Sequence, residues 1–500
     1  MLFNSYLFVF IFFSICLIGY YLIQRMGRPM WAKLWLLGMS LWFYGYFSIR
    51  GLALLLVGLA VNYQVLQVMF GERYAGGQAA KHKKAVFAGG IIWNLGLLGF
   101  FKYAGFFMAY MNETLLLSLP AVQIILPLGI SFYTFSQISF LTDAYHREID
   151  RVSFLDYCLY ITYFPKMIEG PITTHGELLP QFAAIGSKKW DAEGVYKGLA
   201  LFVMGLAKKV LLADTFGAAV DLGYESLAQL TSGDGLLLIL CYTMQLYFDF
   251  SGYCDMAMGL SRMLGIELPV NFDSPYRAGN IIEFWKGWHI TLSRFFTKYI
   301  YIPLGGNRKG LSRMYGNLLL VFLVSGLWHG TGLQFVVWGM MHGVLYVITR
   351  AVQLAGRERG KAPETNKLLR AGKTLLTFLY VNAAWVFFRA DSVAEALSVF
   401  RKVGQLDFGL INRRLAGCFN LDEFWYIIKV LHLDQWQYGH YIIMVIFLLV
   451  TFILVFCADN AVKVAQRIKP KAVNTFLLAV LFVWSVLSFS QVSTFLYVNF

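Results

Sequence analysis

The chain has 500 residues, of which 58% are hydrophobic, 17% aromatic and only 14% charged. A soluble domain runs near about 45–50% apolar and about 25% charged, so a soluble globular class is excluded; the 44 Phe, 29 Tyr and 13 Trp exclude disorder, and 6 Cys without paired spacing exclude a disulfide scaffold. The net charge of +14, on so apolar a chain, points to cytoplasmic loops of a membrane protein rather than to nucleic-acid binding.

In chain order, Leu2 to Leu22 is apolar almost throughout, and its first basic residues, Arg25 and Arg28, come after it. A signal peptide carries its charge before the apolar run and a small-residue cleavage site after it. The segment therefore reads as a retained transmembrane helix, with Arg25, Arg28 and Lys33 inside. A membrane-crossing helix needs about 20 apolar residues. Twelve stretches qualify: 2–23, 31–49, 52–70, 86–110, 115–141, 195–220, 233–262, 314–328, 332–350, 374–389, 439–457 and 473–489. Basic clusters fall at Arg73 to Lys84, Arg350 to Lys373 and Lys463 to Lys471. Placing all three inside puts Phe500 outside.

Two regions interrupt this pattern. Residues 151–192 hold short apolar pieces around Phe164-Pro165-Lys166 and Gly170-Pro171. Residues 264–313 combine charge, Pro and Gly with many aromatics, as re-entrant or interfacial segments do. Residues 391–437 read as an external loop with short helices. No internal repeat is visible.

The nucleophile elbow, the Walker A loop, the dinucleotide-binding glycine pattern, H-E-x-x-H and C-x-x-C are all missing from the sequence. A zinc or nucleotide-phosphate enzyme is therefore disfavoured, and no metal or bound cofactor is expected. The densest polar signal is Phe284 to Arg294. Apolar residues at 281, 284, 285, 288, 292, 295 and 299 fit one helix, with Trp285 and Ser293 one turn either side of His289. The second signal is Ser325-Gly326-Leu327-Trp328-His329-Gly330, a histidine closing an apolar span beside glycines. Ionisable residues at membrane depth are costly and default to function, and histidine suits proton transfer near neutral pH. A core histidine that is simply hydrogen-bonded is the competing reading for each. His342 looks structural or supportive of His329, and His175 reads as a solvated or interfacial loop residue. Asp249 and Asp255, deep in an apolar stretch, fit either a proton relay or buried partners of Arg277, Arg294 or the helix ends around them. The second reading is favoured, because an unpaired buried charge is costly.

These motifs together resemble the membrane-bound O-acyltransferase family, in its bacterial alginate O-acetyltransferase branch. The resemblance rests on Tyr247 to Tyr253, Pro269-Val270-Asn271-Phe272, Asn280 to Ser293, Tyr301 to Asn307, Ser325 to Gly330, and Trp338-Gly339 with His342-Gly343. Weaker matches extend the ordered set over about residues 120–390. His146 and the charged Lys166-Met167-Ile168-Glu169 depart from the usual pattern.

The resemblance implies a single membrane domain over 1–500. It is an all-α polytopic protein, with a ring of helices around a thin core lined by re-entrant segments. A catalytic core region lies at 264–345. The resemblance assigns catalysis to His329 and a second polar role to His289, with Asn271, Trp285, Trp288, Ser293 and Trp328 around the substrate. Lys208, Lys209, Arg308 and Lys309 are the candidate cations for the donor phosphates. The implied reaction takes an acyl group, acetyl above all, from a cytoplasmic thioester such as acetyl-CoA. It delivers that group to an extracellular polysaccharide, with an external partner protein. D-alanyl transfer to teichoic acid is a close alternative. A proton-coupled transporter or flippase is an alternative of a different class, against which the lack of visible internal repeats counts, since transporters usually carry them.

Overall fold

A computed structural model describes residues 1–71, 78–115, 124–188, 190–358, 366–421, 425–432, 436–491 and 495–496. Arg73, Arg359, Lys361, Glu364 and Phe500, on which the orientation argument partly leans, lie outside the described residues. Among the described residues every regular element is helical, and 8 helices are long and apolar enough to cross a membrane. These are Leu7–Arg25, Ile49–Gly71, Lys81–Asn112, Ser232–Met263, Leu311–His329, Leu333–Gly356, Lys367–Arg389 and Gly439–Phe456. The protein is an all-α, multi-pass membrane protein.

The expected spans need four corrections. The stretches 31–49 and 473–489 form helices of 17 and 16 residues, Pro29–Gly45 and Ala472–Leu487. The stretch 115–141 is not one helix: residues 124–127 are non-helical, and the helix Ile130–Tyr145 starts only after Gly129, at φ +66°. Pro127 explains the late start, because it lacks an N–H and pushes its predecessor out of the helical region. Gly129 is required there, since a Cβ would meet the Met167 carbonyl oxygen at 2.9 Å. The stretch 195–220 is broken by a π-helical segment at Lys208–Ala213.

The chain divides into two compact units. The first comprises Met1–Leu199 and Ala257–Pro269. Its aromatic core sets Phe12 against Phe43 at 5.7 Å and against Phe164 at 5.4 Å between ring centroids. Three helices, Ile49–Gly71, Gln78–Leu115 and Ile130–Tyr145, are joined by a buried amide cluster. Asn62 Nδ2 donates to Gln137 Oε1 at 2.8 Å, and Asn94 Nδ2 donates to Asn62 Oδ1 at 2.6 Å. Such bonds hold helices together where lipid supplies no hydrophobic drive. His175 is not a solvated loop residue: it opens the helix His175–Ala183 and pairs with buried Asp143 at 2.9 Å. Lys166 is also buried, with Nζ 3.2 Å from Ser136 Oγ and 4.2 Å above the Tyr160 ring.

The second unit comprises Ala200–Met256 and Val270–Phe500. The Ser232–Met263 helix supplies much of its core, with Tyr242, Phe248 and Phe250 nearly inaccessible. Gly205 and Gly252 let two helices touch: a Cβ on Gly205 would lie 2.6 Å from the Gly252 carbonyl oxygen. Just past this crossing the π-helical segment directs consecutive lysines at three carboxylates. Lys208 Nζ reaches Asp255 at 2.6 Å, and Lys209 Nζ reaches Asp249 and Asp214, each at 2.7 Å. The extra residue in a π turn re-aims side chains that a regular helix would leave about 100° apart.

Residues 264–313 contain only short helices, yet Phe284 and Trp288 are almost fully buried. Irregular backbone of this kind is tolerated at membrane depth when protein surrounds it. In residues 391–437 the described helices are short: Val393–Gly404, Arg413–Gly417 and Trp425–Val430.

Candidate active site

The sequence pattern implies one helix from Ile281 to Tyr299, but the structure breaks it at the histidine. The helix Ile281–Gly287 ends, Trp288 is extended (φ −105°, ψ 127°), and His289 is left-handed (φ 43°, ψ 54°) before Ile290–Phe296 begins. The physical reason lies in Asn271–Asp273, which is distant in sequence. Asp273 N donates to Gly287 O at 2.9 Å and Ile290 N donates to Asn271 O at 3.0 Å, drawing the chain into an extended pairing. A side chain at position 287 would strike the Asp273 carbonyl oxygen at 2.8 Å. A non-glycine residue at positive φ is strained and is often found where function over-determines the backbone.

Asn271 then organises the histidine. Its Oδ1 accepts from Thr291 N at 3.2 Å and Thr291 Oγ1 at 2.9 Å, and lies 3.1 Å from His289 Nδ1. An amide oxygen only accepts, so Nδ1 carries the proton and the lone pair sits on Nε2. That Nε2 is buried with no hydrogen-bond partner among the described residues. The ring stands edge-on to Phe250 at 4.8 Å. His289 is thus a neutral base with its basic nitrogen aimed away from its support.

His329 is the last residue of Leu311–His329 and is buried. Its ring lies 4.5 Å from Trp328, 5.0 Å from Trp338 and 5.0 Å from Phe388. The glycines around it are packing devices. A Cβ on Gly326 would meet Phe335 O at 2.4 Å, and one on Gly339 would meet Phe322 O at 2.5 Å. The two helices cross at backbone contact, and His329 sits one turn beyond the crossing.

The two histidines share one aromatic core. Trp288 is 4.9 Å from Trp385, and Trp385 stacks on Trp338 at 5.7 Å, which touches His329. His342 packs into the same core, 5.1 Å from Trp338. Its Nδ1 accepts from Trp285 Nε1 at 3.3 Å. It is thus part of the aromatic wall that Trp338 shares with His329.

Beside this core opens a cleft of about 1130 Å³. Trp285 and Ser293 line it, as does Ser325, one helical turn before His329. Ser293 Oγ lies 3.5 Å from Trp285 O, so the two sit together on the wall. Asn271, Trp288, Trp328, His289 and His329 do not line the cleft, and all five are buried. The lining cations are Lys286, Arg294, Lys298 and Arg350, against the single carboxylate Glu283.

The expected donor cations lie elsewhere than on this cleft. Lys208 and Lys209 are ion-paired with carboxylates, Lys208 also lining a separate cavity of about 620 Å³, and Arg308 and Lys309 are exposed beside Asn307, which lines the cleft. Asp249 and Asp255 are buried ion-pair partners, of lysines rather than of Arg277 or Arg294. Sequence reasoning missed all four, Lys286, Arg294, Lys298 and Arg350, as cleft cations. The signal for three was present, since Arg294 and Lys298 follow Lys286 at helical spacing within the aromatic stretch.

Comparison with known proteins places this geometry among relatives. The model of the membrane-bound O-acyltransferase family matches residues 87–359. The chain is similar to a peptidoglycan O-acetyltransferase of Helicobacter pylori, 40% identical over 80% of this chain and 79% of that one. It is similar to a probable alginate O-acetylase of Pseudomonas aeruginosa, 36% identical over 80% of this chain and 74% of that one. Similarity to a teichoic acid D-alanyltransferase of Bacillus subtilis is lower, 28% over 45% of this chain and 59% of that one.

Proposed function

Since the chain belongs to the membrane-bound O-acyltransferase family and is an O-acyltransferase of a bacterial membrane, we propose that it moves an acetyl group from a cytoplasmic thioester donor, such as acetyl-CoA, across the membrane for O-acylation of an extracellular polysaccharide. The observation that carries this reading is the basic cleft that reaches Ser325, one turn from buried His329. The acetyl group is favoured over D-alanine because the two acetyl-transferring relatives match at 36–40% over 80% of the chain, against 28% over 45%.

In this mechanism the thioester lies along the cleft with its phosphates among Lys286, Arg294, Lys298 and Arg350. The Arg350 side is cytoplasmic by the distribution of basic residues. His329 accepts the proton of the acceptor hydroxyl as that oxygen attacks the thioester carbonyl carbon. The carbon–sulfur bond breaks, and the thiolate leaves to take up a proton. General-base catalysis of this kind contributes about 10²–10⁴-fold. His289, held by Asn271 with its Nε2 unprotonated, orients the acceptor through that nitrogen. The acceptor is presented from outside, by the polysaccharide or a partner protein bound to it, and the catalytic core region is 264–345.

The test is turnover in proteoliposomes given radiolabelled acetyl-CoA on one face at a time. Consumption only from the face bearing Arg350 supports the reading, and no consumption from either face refutes it. Lys286→Glu with Arg294→Glu should raise the donor KM several-fold, and the effect should shrink with salt because the attraction is screened beyond about 10 Å. Arg308→Glu with Lys309→Glu should leave KM unchanged.

A further inference from the structure

The second unit carries another groove, of about 850 Å³, to which the proposed acyl transfer gives no part. One wall is a single face of the Lys367–Arg389 helix, where Lys367, Arg370, Thr374, Phe378 and Asn382 recur at three- and four-residue spacing. From Lys367 to Asn382 this face runs about 22 Å at the helical rise, longer than one leaflet of a hydrocarbon core about 30 Å thick.

The groove changes character along its length. Towards the Lys367 end Lys367 and Arg370 line it, with Arg277 beside Thr374, and among the described residues no carboxylate does. Arg277 is held rigidly: its Nε donates to Val455 O at 3.0 Å and its Nη2 donates to Ala458 O, capping the end of the Gly439–Phe456 helix. Thr374 Oγ1 lies 3.4 Å from Arg277 O, which ties the guanidinium's backbone to the same wall. Further along, the lining is aromatic and aliphatic: Phe378, Phe452 and Phe456, then Leu236. Leu236 and Leu379 are about half exposed, so the apolar stretch is open on the side that meets the bilayer.

We propose that this groove is a binding site for an anionic membrane phospholipid. Its phosphate would sit among Arg277, Lys367 and Arg370, and one acyl chain would run along Phe378 towards Leu236. Three cations, with no carboxylate lining the groove among the described residues, complement a net negative headgroup better than a zwitterion, and the apolar length takes a chain that free phosphate does not have. Basic pockets between membrane helices on the cytoplasmic side are suited to such headgroups.

The full-length protein in maltoside micelles tests this by thermal unfolding with added phosphatidylglycerol, phosphatidylcholine or glycerol phosphate. Phosphatidylglycerol should raise Tm, phosphatidylcholine should do so weakly, and glycerol phosphate should have no effect. Lys367→Gln with Arg370→Gln should weaken the phosphatidylglycerol response about tenfold in concentration. Leu379→Trp, which fills the groove and keeps its charges, should weaken it as well. Equal shifts with both lipids overturn the anionic site, and a glycerol phosphate shift equal to that of the lipid overturns the chain groove. If the double variant is too unstable to unfold cleanly, native mass spectrometry of Lys367→Gln and Leu379→Trp decides. Wild-type retention of phosphatidylglycerol by both variants overturns the proposal. None of these readouts depends on acetyl transfer.

Discussion

Gly326→Ala places a methyl group where two helices already touch. The added Cβ would lie 2.4 Å from the Phe335 carbonyl oxygen and 3.2 Å from its carbonyl carbon. Ordinary contact begins near 3.4 Å, so the crossing must open by about 1.0 Å, the difference between 3.4 and 2.4 Å. The obstacle is backbone, so no side chain can rotate out of the way. Over-packing of this kind costs about 1–3 kcal/mol. The larger effect should fall on turnover, because His329 stands one turn further along the displaced helix. A misplacement of about 1 Å at a reacting group costs on the order of 10²-fold. Gly316 on the same helix is the control: nothing lies within 4 Å of its added Cβ. Acetyl transfer in proteoliposomes should fall about 100-fold for Gly326→Ala, with the donor KM nearly constant and the protein still monodisperse. Gly316→Ala should match wild type. Wild-type turnover in Gly326→Ala, or an equal loss in Gly316→Ala, would refute the claim that this crossing positions His329.

His329→Ala should remove transfer by about 10²–10⁴-fold without loss of insertion, measured by label incorporation and size-exclusion profile; normal polymer acetylation in that variant sinks the general-base assignment. Asn271→Ala leaves the Thr291 amide and His289 Nδ1 without their acceptor, at about 1–3 kcal/mol for each buried donor. It should lower both Tm and kcat, whereas Asn271→Asp, which keeps the acceptor, should hold the fold better; an unchanged kcat in Asn271→Ala makes His289 a packing residue. Lys209→Met strands Asp214 and Asp249 and should cost about 3–5 kcal/mol. Adding Asp214→Asn and Asp249→Asn should recover most of that, and a raised donor KM at unchanged Tm would instead mean that Lys209 meets the donor.

The membrane architecture was legible in the residues. Apolar runs of helical length mark most of the spans, and two histidines stand out because each interrupts aromatic sequence at membrane depth. The ordered motifs from Tyr247 to Gly343 carried the family, which the comparisons then showed. The broken helix at His289 was not legible: residues 281–299 have faultless helical periodicity, and the break is imposed by Asn271–Asp273 pairing with Gly287–Ile290. The ion pairs of Lys208 and Lys209, named from the sequence only as candidate donor cations, were not legible for the same reason. A lysine's sequence neighbours do not reveal that Asp255, Asp249 and Asp214 wait for it inside the fold. Periodicity reports which solvent each face of a local segment prefers, and that is a property of the segment itself. Where an ion pair closes, a helix breaks or a cleft gathers its charges depends on partners tens of residues away, so only the tertiary structure decides it.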